Sequence, residues 1–292
     1  MSYACKIIAD SVSAEGVRLT TFEICFPRMV LAEFNTHRVF SRNSASSRAI
    51  PVKVQLAKVL EDPFIPIYWG KNQKGMQASE ELDPTAQADA VKKWLFARDS
   101  AVATVKYLNE ELDVHKQIAN RLLEPFMWHT VVCTSTEWAN YFHLRNNRMA
   151  QPEIHRIADM MDAVYTAGTP KELAPHEWHL PYVRPEEYAE IPLENLIKLS
   201  CARCARVSYL TQDGVRDVEA DYTLYNRLLT SGHMSPFEHA ARPMREVEIA
   251  DYKLVKDVNS GSGELPFLGN FRGWVQHRKE IPGEHDMQAP KG

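Results

Sequence analysis

The chain has 292 residues, long for one domain and short for two large ones, and a core burying roughly 75% of the unfolded surface is within reach at this size. Its 34 basic and 38 acidic residues leave no global footprint for nucleic acid or an acidic membrane, so any basic patch must be local. No apolar run approaches the roughly 20 residues of a spanning helix, no apolar signal core opens the chain, and five cysteines do not suggest a disulfide scaffold; a soluble, cytoplasmic protein is expected.

In chain order, Phe22, Ile24 and Phe26 alternate with Thr21, Glu23 and Cys25, which predicts a strand over residues 17–27 ended by Pro27. Residues 33–48 then bring together His37, Arg38, several small hydroxyl residues including Ser46 and Ser47, and Arg48 on a loop or short helix. Small residues let backbone N–H groups approach a phosphate, hydroxyls add donors, and arginine supplies a planar fork matched to phosphate oxygens. The segment therefore reads as an anion grip, with a plain polar loop as the alternative. Residues 69–77 form a donor-rich loop, read as a solvated connector in preference to a phosphate contact.

Val91, Trp94, Leu95, Ala101, Val102, Val105 and Leu108 recur at three- and four-residue steps, which predicts one or two long amphipathic helices over residues 86–124. Thr134 and Glu137 have the spacing of a capping box ahead of a helix that buries Trp138, Tyr141 and Phe142 and turns Asn140 and Arg145 elsewhere. Pro152 interrupts it and opens a second helix with the stripe Ile154, Ile157, Ala158, Met161 and Val164. Six glycines and prolines between Gly168 and Pro192 make residues 168–194 the boundary candidate. That divides the chain into residues 1–167, the bridge, residues 195–282 and a tail, 283–292, expected to be disordered. Helices are predicted over residues 196–209 and 222–229, with Gly232 as a stop, and Val247 and Ile249 suggest a second strand. Ser235 and Glu238 flank Pro236 and Phe237 as a capping box with proline in the first turn. Cys201 and Cys204 invite a redox or zinc reading. With no second ligand pair at zinc spacing they read as structural, and no metal site is expected.

His-Arg-x-x-Ser-x-Asn-x-x-Ser-x-Arg, from His37 to Arg48, resembles the signature segment of the flavin-dependent thymidylate synthases. Three further segments extend the likeness. Asn140 with Arg145, followed by Ala150-Gln151-Pro152-Glu153-Ile154, is similar to the family's Asn-x-x-x-x-Arg and Ala-Gln-x-Glu-Ile region, and Arg121 with Pro125 to its Arg-x-x-x-Pro. His233-Met-Ser-Pro-Phe-Glu-His239, preceded by Ala205-Arg206-Val207-Ser208-Tyr209, resembles its His-x-x-Pro-Phe-Glu-His and Ala-Arg-Val-Ser. In the family the Pro-Phe-Glu-His segment comes first. Here it follows by about two hundred residues, as in a circular rearrangement, which proximity of the original termini would tolerate. Trp274-Val275-Gln276-His277-Arg278 echoes the His-Arg unit and reads as a vestigial turn.

The resemblance implies an α+β fold, a mixed or antiparallel sheet backed by long helices, and a homotetramer. It implies reductive methylation of deoxyuridylate to thymidylate with FAD, methylenetetrahydrofolate and NADPH, without a cysteine nucleophile. Position by position, Arg145 matches the arginine that activates the pyrimidine. Ser46, Ser47, Arg48 and Arg121 match positions holding the nucleotide, and His37, Arg38, Asn43, Asn140, His233, Ser235 and Glu238 match positions lining the flavin. Glu33, Thr36 and Ser44 stand where the family commonly has glutamine, arginine and glutamate. Those exchanges leave open a deoxypyrimidine monophosphate hydroxymethylase or methylase of altered base or product choice, and a flavin- or nucleotide-binding module without catalysis is the alternative from another class.

Overall fold

A five-stranded mixed sheet organises the chain in the computed structural model, which describes residues 2–207, 217–255 and 265–285. Strands β1 (Ala4–Ser13) and β2 (Arg18–Pro27) form a hairpin turned at Gly16, whose φ of +79° suits glycine. After α1 (Leu31–Asn35), β3 (Ser41–Ser44) lies at the sheet edge; α2 (Val52–Glu61), α3 (Pro84–Glu110) and α4 (Lys116–Ala119) precede a 3-10 turn over Asn120–Phe126. Then come β4 (Trp128–Ser135), α5 (Ala139–Arg145), α6 (Pro152–Ala167) and β5 (Lys171–Leu173). The order is β3-β4-β2-β1-β5, with β5 parallel to β1 and the other neighbours antiparallel, which gives the α+β architecture expected.

Both faces of the sheet are covered. On the first, Phe22, Ile24, Phe26, Val131 and Cys133 pack with Trp138 and Tyr141 of α5 and with Ile154, Ile157, Ala158 and Met161 of α6. That α6 stripe is the predicted one, and Pro152 is its first residue. The second face, Leu19, Thr21, Val132 and Thr134, lies under α8 (Leu193–Arg206), β6 (Ala241–Pro243), β8 (Phe271–Arg272), β9 (Trp274–Gln276) and residues of the bridge, while α7 (Glu187–Glu190) and α9 (Val218–Thr230) pack on α8, β7 (Phe267–Leu268) on β8 and β9, and α11 (His277–Glu280) on β9; α10 (Glu246–Val255) follows β6 in the chain. Leu19 packs with Leu173, Ala241, Phe271 and Trp274, and Val132 with Cys204 and Val207.

Asp83 caps α3 by accepting from the backbone N–H groups of Thr85 and Ala86, with Pro84 at the first helical position. Of the predicted α3 stripe, Val102 and Val105 are buried, while Phe96 and Tyr107 on other faces are exposed. Among the described residues no helix is long and apolar enough to cross a membrane.

Several local expectations are corrected. Thr134 caps no helix: it lies inside β4, and its hydroxyl is used in the interior by Thr21 and His239. Ser135 Oγ instead accepts from the Glu137 N–H ahead of α5. The strand expected at Val247 and Ile249 is helix α10, because Glu248 accepts the Arg245 N–H at 2.8 Å and closes its first turn. Residues 235–238 form a 3-10 turn without a side-chain cap, since Arg278 takes the Glu238 carboxylate. The start of the tail is held, with Glu284 buried under Arg278 and Lys279; residues 286–292, like Ser208 and Tyr209, lie outside the described residues.

Candidate functional site

The serine-rich grip and the histidine heptad meet at β3. Pairing with β4 turns Ser41 and Asn43 to the second face, where the 235–238 turn packs against them, and turns Arg42 to the first. His239, fully buried, places Nε2 3.2 Å from Asn43 Oδ1. A carboxamide oxygen can only accept, so His239 Nε2 carries the proton and Nδ1 accepts from Thr134 Oγ1 at 2.7 Å. The same logic runs onward: Thr21 to Thr134 at 2.7 Å, His179 Nε2 to Thr21 at 2.8 Å, Ser11 to His179 Nδ1 at 2.9 Å. Six buried side chains from both ends of the sequence thus share one directed chain. Burial pulls His179 and His239 down to about 3, so both rings are neutral at pH 7.

The Gln276-His277-Arg278 echo is part of this junction. Gln276 Nε2 donates to Ser41 Oγ at 3.0 Å and to the Glu238 carbonyl at 3.3 Å, and Arg278 donates to Glu238 Oε1 at 2.6 Å. His277 stacks near Tyr225, whose hydroxyl lies 2.9 Å from Nε2. The sequence reading missed His179, Gln276 and Arg278 as partners. The repeated His-Arg pair was the available signal for Arg278, with Gln276 beside it, and nothing in the proline-rich bridge singled out His179.

On the first face, α5 brings Arg145 onto the start of the grip. Its Nε donates to His37 Nε2 at 3.0 Å and its Nη2 to Thr36 Oγ1 at 3.1 Å and the Glu33 carbonyl at 3.4 Å. His37 is buried against Tyr141 and Phe40, and burial, then the charges of Arg145 and Arg42, pull it down to about 4. Arg42 Nη1 holds the His37 carbonyl at 3.2 Å. Beside this pair, Glu33 Oε2 is buried with no hydrogen-bond partner among the described residues.

A third cluster gathers the residues expected at the nucleotide. Ser47 Oγ donates to Glu124 Oε1 at 3.1 Å, Arg121 Nη1 to the same oxygen at 2.6 Å, and Arg28 Nη2 at 3.4 Å. Arg48 is exposed, and its N–H reaches Ser46 Oγ at 3.3 Å. Ser47 and His129 also line a cavity of about 530 Å³ with Ala45, Gln55, Lys58 and Thr130, and Gln55 Oε1 is buried with no hydrogen-bond partner among the described residues. Arg28 and Glu124 lie inside segments that resemble the family, but nothing in the sequence singled either out.

Of the remaining expected site residues, Arg38, Asn140 and Ser235 are exposed, and His233 is exposed with Nδ1 2.8 Å from Ser231 Oγ. The 69–77 loop borders a second cavity, of about 630 Å³, with Arg148 and Glu153. Cys201 and Cys204 are buried on α8, where desolvation raises both thiols and leaves them inert.

The sequence model of the family described as thymidylate synthase complementing protein matches residues 17–171, a span that holds the grip, Arg121 and Arg145. Similar solved structures include a UMP/dUMP methylase PolB from Streptomyces cacaoi bound with 5-Br UMP, 16% identical over 57% of this chain and 90% of that one, with a TM-score of 0.47. The same enzyme bound with 5-Br dUMP is 15% identical over 57% and 91% of the two chains, with a TM-score of 0.46. No curated protein matches the chain.

Proposed function

The chain belongs to the thymidylate synthase complementing protein family, the flavin-dependent thymidylate synthases, and from that premise we propose that it methylates deoxyuridylate reductively to thymidylate, using FAD, methylenetetrahydrofolate and NADPH. The observation that carries this reading is the bond between His239 and Asn43, which joins the two motif-bearing ends of the sequence over one sheet edge. In this reading the parts on either side of the proline-rich bridge serve a single site, as a circular rearrangement requires.

The residues present fit such a cofactor. Arg38 offers an exposed guanidinium, Asn43 has its NH2 end to offer once Oδ1 is taken, and Glu33 Oε2 is a buried acceptor without a donor among the described residues. Together they match a ligand carrying both anionic groups and N–H edges. His37, Arg38, Asn43, Asn140, His233, Ser235 and Glu238 would hold FAD, which when bound supplies the hydride. Ser46, Ser47, Arg48 and Arg121 would hold the nucleotide. Arg145 would draw charge onto the pyrimidine edge, a fixed cation acting through preorganised electrostatics. Its two hydrogen bonds to Thr36 and His37 set its direction in advance, and a neutral His37 can accept from it without repulsion. A homotetramer belongs to the same reading, and Phe96 and Tyr107 on α3 give apolar surface suited to a second copy.

A second reading, hydroxymethylation or a different pyrimidine, is favoured by Thr36. Where the family has an arginine, this chain places a hydroxyl on Arg145 itself, so one cation beside the base is replaced by a neutral group. Mass analysis of products from purified protein supplied with FAD, NADPH, the folate donor and either deoxyuridylate or deoxycytidylate separates the two. A thymidylate product establishes the first reading, a product heavier by one oxygen or made from deoxycytidylate establishes the second, and a colourless protein that takes up no FAD counts against the first.

A further inference from the structure

Glu124 occupies the seat that the nucleotide reading gives to a phosphate. Two guanidinium groups, Arg121 and Arg28, and the Ser47 hydroxyl all donate to its Oε1. The donors come from three separate places: the turn just past the end of β2, the loop after β3, and the 3-10 turn that carries Glu124 itself. Asn120 ties two of them together by donating to the carbonyls of Ser47 and Ile50 at 2.8 and 2.9 Å. Arginine forks and a serine hydroxyl converging on one oxygen are a phosphate-binding set, and here the anion they hold is a carboxylate of the same chain. The adjoining cavity of about 530 Å³ shares Ser47 and His129 with the cluster, and His129, 3.1 Å from Arg28 and pulled down to about 3 by burial and that charge, adds no competing cation.

We propose that Glu124 is a built-in rival for the nucleotide's phosphate, an internal anion that must leave Ser47 and Arg121 before the phosphate can take them. The proposal rests on the nucleotide reading above and adds to it the residue that sets phosphate affinity. A phosphate dianion beside a carboxylate that stayed in place would face like charge at close range, so the two states exclude one another. The side chain of Glu124 is 26% exposed, which gives it a route into solvent without disturbing the core. A tethered competitor lowers apparent affinity by the fraction of molecules in which it has left the seat. Removing it therefore tightens monophosphate binding, whereas a carboxylate that merely held the arginines in place would weaken binding when removed.

The test is calorimetric titration of the full-length parent protein, Glu124→Gln and Glu124→Leu with deoxyuridine 5′-monophosphate, with deoxyuridine and with inorganic phosphate. The expected result is monophosphate binding about 10-fold or more tighter in both variants, parallel tightening for inorganic phosphate, and deoxyuridine affinity within about twofold of the parent. Unchanged or weaker monophosphate binding in folded variants overturns the proposal and leaves the nucleotide reading intact. Absence of binding of both nucleotide and nucleoside by all three proteins overturns both. A structure of the parent with the monophosphate decides independently of any variant. Glu124 withdrawn from Ser47 supports the proposal, and Glu124 still bonded to Ser47 beside the phosphate overturns it.

Discussion

His239 donates to Asn43 across 196 positions of sequence, and through Thr134, Thr21 and His179 the same chain of hydrogen bonds ends at Ser11. Every member is buried, so each bond replaces water that the group has lost. His239→Ala removes the acceptor of Thr134 and the donor to Asn43 and leaves a void, at an expected cost of about 3–4 kcal/mol by urea unfolding. A double-mutant cycle with Asn43→Ala should return a coupling of about 1 kcal/mol. A coupling indistinguishable from zero would mean that the two ends of the chain do not meet through this bond.

The neutral histidines make stability depend on pH. His129, His179 and His239 are pulled from 6.5 to about 3 by burial, with the Arg28 charge assisting at His129. Between those values the unfolded chain binds protons that the folded chain does not, so stability is full above about pH 6.5 and falls as pH drops towards 3. Each ring contributes a slope approaching about 1.4 kcal/mol per pH unit once the unfolded form is protonated. Urea midpoints measured from pH 7.5 down to 5 should therefore decline steadily, a slope reduced by a third would show one ring charged in the fold, and a flat profile would show that none of the three is held neutral.

What the sequence disclosed and what it concealed divide along physical lines. Helix α6 was legible because proline, a full apolar stripe and a single buried face all agree. Strand β1 was not: its register shifts between Ile7 and Ala9, which breaks the alternation, and it carries Lys6 and Asp10, which are paired with Glu23 and Arg18 on β2. Strand β4 is buried on both faces, so it shows no alternation, and the Thr134 hydroxyl that mimics a cap is satisfied by side chains 113 and 105 positions away. The grip and the heptad could be read as motifs, because their spacing is local. Their junction depends on Gln276, Arg278 and His179, whose roles exist only once the chain has folded.

Arg203 tests the packing of the C-terminal elements against the bridge. It is 5% exposed, forks onto Glu187 at 2.6 and 2.7 Å, reaches Asp221 at 3.1 Å, and donates to the carbonyl of Tyr182, a residue held at a φ of +65°. Arg203→Met leaves Glu187 and the buried Asp221 without this partner, and a loss of about 3–5 kcal/mol is expected in thermal or urea unfolding. Arg203→Lys keeps the charge but not the fork, so it should recover only part of that loss.

Arg145 and His37 offer the sharpest separation of binding from chemistry. Arg145→Ala removes the guanidinium that donates to His37 Nε2, and with it one of the charges that hold the ring down at about 4. The His37 titration should therefore move up towards 6.5 in an NMR pH series, although not fully, because burial is the larger cause and the Arg42 charge remains. Arg145→Lys keeps a positive charge nearby and should shift His37 less. If Arg145 activates the pyrimidine, turnover in Arg145→Ala falls by about 100-fold or more while flavin colour is retained, the pattern of an interaction made in the transition state. Loss of colour together with turnover would instead assign Arg145 to holding the cofactor site together. Retained turnover would remove it from the chemistry altogether.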